Sequence, residues 1–251
     1  MEIINKYPIF INDRKLDAQE IYHLTPYFSE FNYSLKNNLK SPCFFYEFGR
    51  GLSFKNEKGF LGPFDFYKQL HRFPKTLGSK KKELLAKSIG LEHLKNNENV
   101  IDMTCGLGTD SLKISYWGGN VTSFERNPIC YILVSDALVR LGKIKGDEQF
   151  FQLKFGELLG NRNNYDSFTR TVLYYDPMYP DANKKSLPSG KIQALRFMVG
   201  EDLDIEEQLN NILALHPKRF VMKRPKKGKV LCEERLHHQI IGSSTRFDIY
   251  T

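Results

Sequence analysis

The sequence predicts an α/β protein with a Rossmann-like, doubly wound parallel sheet, and three observations predict it. From about residue 79 onward, short apolar runs of strand length alternate with stretches of helical period. One such run, Asn99–Thr104, feeds a Gly106-x-Gly108 turn that opens a helix. The next, Asn120–Glu125, ends on a carboxylate roughly 20 residues further along, the spacing of ribose-binding acids in such sheets.

The elements follow in order. More than half of the aromatic residues fall within the first 75 positions, in short β-rich segments: Tyr7–Ile11, Pro42–Gly49, Leu52–Lys55 and Gly59–Gly62. Residues 1–75 therefore read as a small aromatic-rich subdomain, its rings serving packing or facing RNA, and 76–251 as the main domain. Ser79 can cap a helix that carries Leu84, Leu85 and Ile89 and stops at Gly90. A helix from Asp110 to Trp117 ends at Gly118-Gly119. Pro128 fits the first turn of a helix with an apolar stripe of Cys130, Leu133, Val134, Ala137, Leu138 and Leu141. Phe150–Phe155 and Arg170–Tyr175 read as strands, and Asp204-x-x-Glu207 as a capping box opening a helix. Lys218–Lys223 and Thr245–Tyr250 supply closing strands.

Composition excludes several classes. Hydrophobic residues make up 41% and charged residues 26%, enough for a core and against wholesale disorder. The longest apolar runs, such as Ile129–Val134, fall far short of the roughly 18–20 residues of a membrane span. The opening Met1-Glu2-Ile3-Ile4-Asn5-Lys6 has no apolar signal core. Cys43, Cys105, Cys130 and Cys232 are widely separated, so neither a disulfide framework nor a metal site is expected, and the cytoplasm is the natural compartment. The 37 Lys and Arg outnumber the 29 Asp and Glu, and the net charge of +8 favours a polyanionic partner.

Four motifs carry chemistry. Val100–Asp110 is a strand, a glycine turn and a helix start; Asp102, Gly106 and Gly108 are candidate ligand contacts, because glycine lets a backbone approach its ligand closely. A dinucleotide fingerprint would have Gly or Ala at position 111, which is Ser. Glu125 can accept both hydroxyls of an adenosine ribose, whether of NAD or of S-adenosylmethionine. Asp176-Pro177-Met178-Tyr179-Pro180 resembles the loop of methyltransferases that act on exocyclic amines of bases. Such an amine is a poor nucleophile because its lone pair is delocalised into the ring. Hydrogen bonds to the Asp176 carboxylate and the Pro177 carbonyl would localise it, and Tyr179 would stack on the base. Finally, Lys80, Lys81 and Lys82, Lys184 and Lys185, and Lys223, Arg224, Lys226 and Lys227 form basic clusters suited to phosphates, if they are not merely solvated faces.

Together these residues resemble the bacterial small-subunit ribosomal RNA methyltransferase J family, from about Leu77 to the C-terminus. The likeness rests on Asp102–Asp110, Glu125-Arg126-Asn127-Pro128, Asp176–Pro180 with Lys184-Lys185-Ser186, Val199–Asp204, Val221–Pro225 and Arg246–Tyr250. It implies the class I methyltransferase fold, S-adenosylmethionine as cofactor and methylation of a guanine N2 amine in 16S rRNA. It also implies cofactor contacts at Thr109, Asp110, Glu125, Arg126, Gly156, Glu157 and Asp176. Three other readings stay open. An NAD oxidoreductase would leave Asp176–Tyr179 unexplained, a silent RNA-binding protein would not need an intact glycine turn, and the Asp176 loop alone cannot choose guanine over adenine N6.

Overall fold

The computed structural model describes residues 7–12, 18–73, 81–146, 150–178 and 205–251. They form two compact units. The first takes in 7–12, 18–69 and 127–146, and the second 70–73, 81–126, 150–178 and 205–251.

Among the described residues the first unit holds a five-stranded sheet in the order β2-β1-β3-β4-β5. These strands are β1 (Ile9–Ile11), β2 (Phe31–Tyr33), β3 (Cys43–Glu47), β4 (Gly51–Asn56) and β5 (Gly59–Leu61). Part of its aromatic wealth is core, while Tyr22, Tyr33, Phe48 and Tyr67 are exposed. Phe44 packs edge-to-face on Phe54 at 4.9 Å and on Phe28 at 5.0 Å between ring centroids, and all three rings are buried.

The helix Pro128–Lys145 belongs to this unit and not, as the boundary near residue 75 implies, to the main domain. It starts where expected. Asn127 Oδ1 accepts the amides of Ile129 and Cys130, and Pro128 needs no donor in the first turn. Its fully buried Asp136 explains the attachment: the carboxylate accepts the β4 amide of Leu52, His23 Nε2 and Arg140 Nε, each at 2.9 Å. Arg140 in turn donates to the Phe64 carbonyl at 2.7 Å. A carboxylate this deep needs such partners, and it finds them in the N-terminal segment.

The second unit holds, among the described residues, a seven-stranded sheet ordered β11-β12-β10-β9-β6-β7-β8. Its strands are β6 (Asn99–Asp102), β7 (Val121–Glu125), β8 (Gln152–Phe155), β9 (Thr171–Tyr175), β10 (Arg219–Pro225), β11 (Leu236–Ile241) and β12 (Thr245–Tyr250). From β8 across to β10 all pairings are parallel, but β12 runs antiparallel to β10, and β11 to β12. The sheet is therefore mixed, and the expectation of a wholly parallel sheet is corrected at one edge. β11 was not anticipated: it is a half-exposed edge strand opening on Leu236-His237-His238, without the buried apolar run that marks its neighbours.

The two expected helix caps fall outside the described residues. Among the described residues beyond position 75 the first helix begins at Leu84 with Glu83 at the cap position, and Ser79 is not among them. Asp204 of the expected capping box lies outside them too; the helix Ile205–Leu213 buries Ile205, Leu209, Ile212 and Leu213. No helix among the described residues is long and apolar enough to cross a membrane.

Candidate active site

Parallel strands bring their carboxyl ends to one edge, and the register of β7, β6, β9 and β10 sets which residues meet there. Asp102 lies opposite both Ser123 and Tyr174, and Met222 opposite Tyr175, so Glu125, Asp176 and Lys223 follow at neighbouring strand ends.

The glycine loop is fixed by its neighbours. The Met103 amide donates to the Tyr174 carbonyl and the Cys105 amide to the Phe124 carbonyl, both at 2.8 Å. Gly106 and Gly108 have φ of 55° and 71°, a region that side chains with a Cβ rarely occupy. Gly108 caps the helix Thr109–Tyr116, and the Gly106 amide donates to Glu125 Oε2 at 2.7 Å. Glu125 is buried, and so is no exposed strand-end residue; its own carbonyl accepts the Gly156 amide at 2.9 Å.

Asp102 departs from expectation. It is buried, its Oδ1 accepting the Thr104 amide at 3.0 Å and its Oδ2 the Ser111 hydroxyl, which also receives a 2.7 Å hydrogen bond from Ser123. Burial pushes its pKa up to about 7. Its two oxygens are thus engaged by the loop and by the helix that follows it, and Asp102 shapes the site from within. Ser111, the residue that departs from the dinucleotide fingerprint, is the hydroxyl that this buried acid requires.

The second half of the site is a charged cluster. Lys223 Nζ lies 2.8 Å from Asp176 Oδ2 and 2.9 Å from Asp110 Oδ2, and Asp110 Oδ2 also accepts the Tyr174 hydroxyl at 2.7 Å. The Asp176 amide donates to Thr104 Oγ1 at 2.7 Å, which ties the start of the Asp-Pro loop to the glycine loop. Thr104 was not singled out from sequence; its signal was only its place in the turn. Burial raises the Asp110 pKa, but the Lys223 charge and its hydrogen bond outweigh that and hold it below the usual value. At Asp176 burial wins over Lys223, and its pKa is raised. Lys223 is itself held firmly protonated: burial opposes its charge, but Asp110 and Asp176 outweigh burial. A cavity of about 250 Å³ opens beside it, lined among others by Glu83, Asp110, Lys113, Ser243 and Ser244.

Two residues of the expected basic face therefore lie elsewhere. Lys223 points to two carboxylates, and Arg224 is buried with its guanidinium on the Lys229 carbonyl at 2.8 Å. Strand alternation sends the two to opposite faces of β10. Buried Arg246, doubly hydrogen-bonded to Asp248, donates to the carbonyls of Pro225, Lys226, Gly228 and Lys229. The turn is thus stitched from within while Lys226 and Lys227 remain exposed. Lys81 and Lys82 are exposed, Lys81 in a 3.3 Å surface pair with Glu92. Arg126 and Glu157 pair with each other at 2.9 Å on the surface. Pro177 is buried; Lys80, Tyr179, Lys184 and Lys185 lie outside the described residues.

Comparison with known proteins decides the family. Residues 52–251 match a family model described as "Putative SAM-dependent methyltransferase". Over 177 residues the chain is 34% identical to the ribosomal RNA small subunit methyltransferase J of Thioalkalivibrio sulfidiphilus, covering 68% of this chain and 69% of that one. For the Hahella chejuensis protein of the same name the identity is 33%, covering 74% and 70%. The chain belongs to the ribosomal RNA small subunit methyltransferase J family. The crystal structure of a SAM-dependent methyltransferase from Neisseria gonorrhoeae shares its fold, with a TM-score of 0.68 and 23% identity over 96% of this chain and 95% of that one.

As a member of the methyltransferase J family, the protein is an S-adenosylmethionine-dependent enzyme. The strand-end chemistry fits that cofactor. A Cβ built at Gly106 would find its nearest neighbour, the Thr104 carbonyl oxygen, 3.9 Å away, so the loop leaves open space for a ligand to come close. A buried carboxylate acceptor, Glu125, stands beside that loop, and the acidic pair Asp110 and Asp176 suits a cationic group.

Proposed function

We propose that the protein places one methyl group on the exocyclic N2 amine of a guanosine in 16S ribosomal RNA, in the cytoplasm. The substrate class is the one named in its relatives, and the observation that carries the chemistry is the Asp176 carboxylate. It stands at the end of β9, its backbone tied to Thr104 and its Oδ2 held by Lys223, while Oδ1 engages no group among the described residues.

In this reading Asp176 Oδ1 and the Pro177 carbonyl accept the two N–H bonds of the amine. They draw its lone pair out of conjugation as it becomes the nucleophile. Bound S-adenosylmethionine supplies the electrophile, a methyl group on a sulfonium that departs as a neutral thioether. The raised pKa of Asp176 equips it to guide away the proton that the amine must lose. Glu125 accepts the ribose hydroxyls, Gly106 and Gly108 give the backbone its close approach, and the Thr109–Asp110, Arg126 and Gly156–Glu157 segments complete the cofactor contacts. Catalysis is mostly positioning. Exposed Lys81, Lys82, Lys226 and Lys227 hold RNA phosphates. We extend the same phosphate role to Lys80, Lys184 and Lys185, and base stacking to Tyr179.

The test is incubation with labelled S-adenosylmethionine and bacterial small-subunit RNA, naked and as subunits, followed by nucleoside analysis. N2-methylguanosine is expected. N6-methyladenosine would transfer the reading to the adenine alternative, and no methylated nucleoside from either substrate would refute it.

A further inference from the structure

The acidic pair at the strand ends poses an electrostatic problem that amine polarisation does not itself solve. Asp110 and Asp176 both place an oxygen within 2.9 Å of one ammonium, so their carboxylates stand close together. Their side chains keep only 22% and 34% of their exposure, which limits screening by water. Like charges so placed favour keeping a proton on one of the two.

We propose that Lys223 is a positioning residue that keeps Asp176 ionised and aimed at the substrate amine, by acting as a cation shared with Asp110. The inference rests on the reading of Asp176 as the amine acceptor. The two acids are held asymmetrically. Asp110 has other support: the Tyr174 hydroxyl donates to it, and it lies in the first turn of the Thr109–Tyr116 helix, where the helix dipole favours negative charge. Asp176 Oδ2 accepts from Lys223 alone among the described residues. Without the ammonium, the proton goes to Asp176. A protonated Asp176 presents a neutral group where the developing positive charge on the amine calls for an anion.

The other ionisable groups around the pair do not replace Lys223. Buried Asp102 on β6 adds a carboxyl group, Tyr174 on β9 a hydroxyl already engaged with Asp110, and Glu83 on the cavity wall a further acid. Lys113, on the same helix as Asp110, acts on Asp110 and lies 5.7 Å from the centre of the Phe73 ring. Geometry also separates this role from phosphate binding. Lys223 spends its ammonium on two carboxylates, whereas Lys226 and Lys227 on the following turn stay exposed.

The experiment is single-turnover methylation of small-subunit RNA at saturating S-adenosylmethionine, followed across pH, for the full-length wild type, Lys223→Met, Lys223→Arg and the double variant Lys223→Met/Asp110→Asn. Salt dependence of RNA binding is measured in parallel. Lys223→Met should shift the acid limb of the rate profile upward by about one to three pH units, so that much of the lost rate returns at high pH. Lys223→Arg, which keeps the charge, should hold the limb near its wild-type position. The double variant should move it back down, because the neighbouring negative charge is gone; it also serves if Lys223→Met alone folds poorly. An equal loss for Lys223→Met at every pH, with the limb in place, would overturn the inference. So would a fall of about one in the salt slope without a shifted limb, which would make Lys223 a phosphate contact. Wild-type rates in Asp176→Asn would overturn the underlying reading as well, so the two failures are distinguishable.

Discussion

Glu125 Oε2 accepts the Gly106 amide at 2.7 Å, so the acid ending β7 also shapes the glycine loop that follows β6. One side chain thereby sets the loop and presents a carboxylate beside it. Replacing it by alanine removes both contributions. Glu125→Ala should weaken S-adenosylmethionine binding by roughly 1.5–3 kcal/mol, the scale of hydrogen bonds to a charged group. Calorimetric titration reads this directly, and wild-type affinity would remove Glu125 from the ribose role.

The Pro225–Lys229 turn is held from beneath by Arg224 and Arg246 and presents Lys226 and Lys227 outward. Neutralising both lysines should weaken binding to RNA of any sequence and lower the slope of log K against log salt by about 1.4–1.8. Cofactor affinity should not change. Filter binding over a salt series tests this, and an unaltered slope would leave the lysines as a solvated face.

Arg246 and Asp248 form a buried two-bond pair, Nε to Oδ1 at 2.8 Å and a second nitrogen to Oδ2 at 3.0 Å. Asp248→Ala would leave the buried guanidinium charge without its carboxylate, with only backbone carbonyls as acceptors. The expected loss of stability is about 3–5 kcal/mol, measured by urea denaturation. The basic turn should lose order with it, so RNA affinity should fall in this variant although no surface charge has been removed.

Asp136 makes the first unit acid-sensitive. Burial alone would raise its pKa, but hydrogen bonding from His23, the Arg140 charge and the Leu52 amide together lower it. A group whose pKa is lower folded than unfolded stabilises the fold above its unfolded value, about 3.9, and loses that contribution as pH falls through the folded one. Wild-type stability should therefore decline below about pH 4. Asp136→Asn should be less stable at neutral pH and show a shallower acid decline. Denaturation midpoints between pH 3 and 7 decide it; parallel declines would place the acid sensitivity elsewhere.

What the sequence reveals and what it hides follow from the range of the interactions. The Asp102–Asp110 turn, Glu125 and the Asp176-Pro177 turn are legible because each is a local pattern of strand, turn and charged residue. Local pattern shows Asp102 as a strand-end acid but not that Ser111 and Thr104 fold around it. Lys223 was hidden in a basic run: its partners lie 113 and 47 positions away. Alternation along β10 was the one available hint, since it sends Lys223 and Arg224 to opposite faces. The helix Pro128–Lys145 reads correctly as a helix, but its membership of the N-terminal unit depends on an Asp136–Leu52 contact spanning 84 positions.

Asp176 is the residue on which the methyl transfer depends most in this reading. Asp176→Asn keeps the size of the side chain and one acceptor oxygen, but loses the charge that favours the developing cation on the amine. The most direct measurement is the single-turnover rate of methylation of small-subunit RNA at saturating S-adenosylmethionine. The rate should fall by about 10²–10³-fold, the scale of one lost group of oxyanion-hole type, with RNA affinity near wild type. A wild-type rate would contradict this reading and return Asp176-Pro177 to the role of a structural turn at the end of β9.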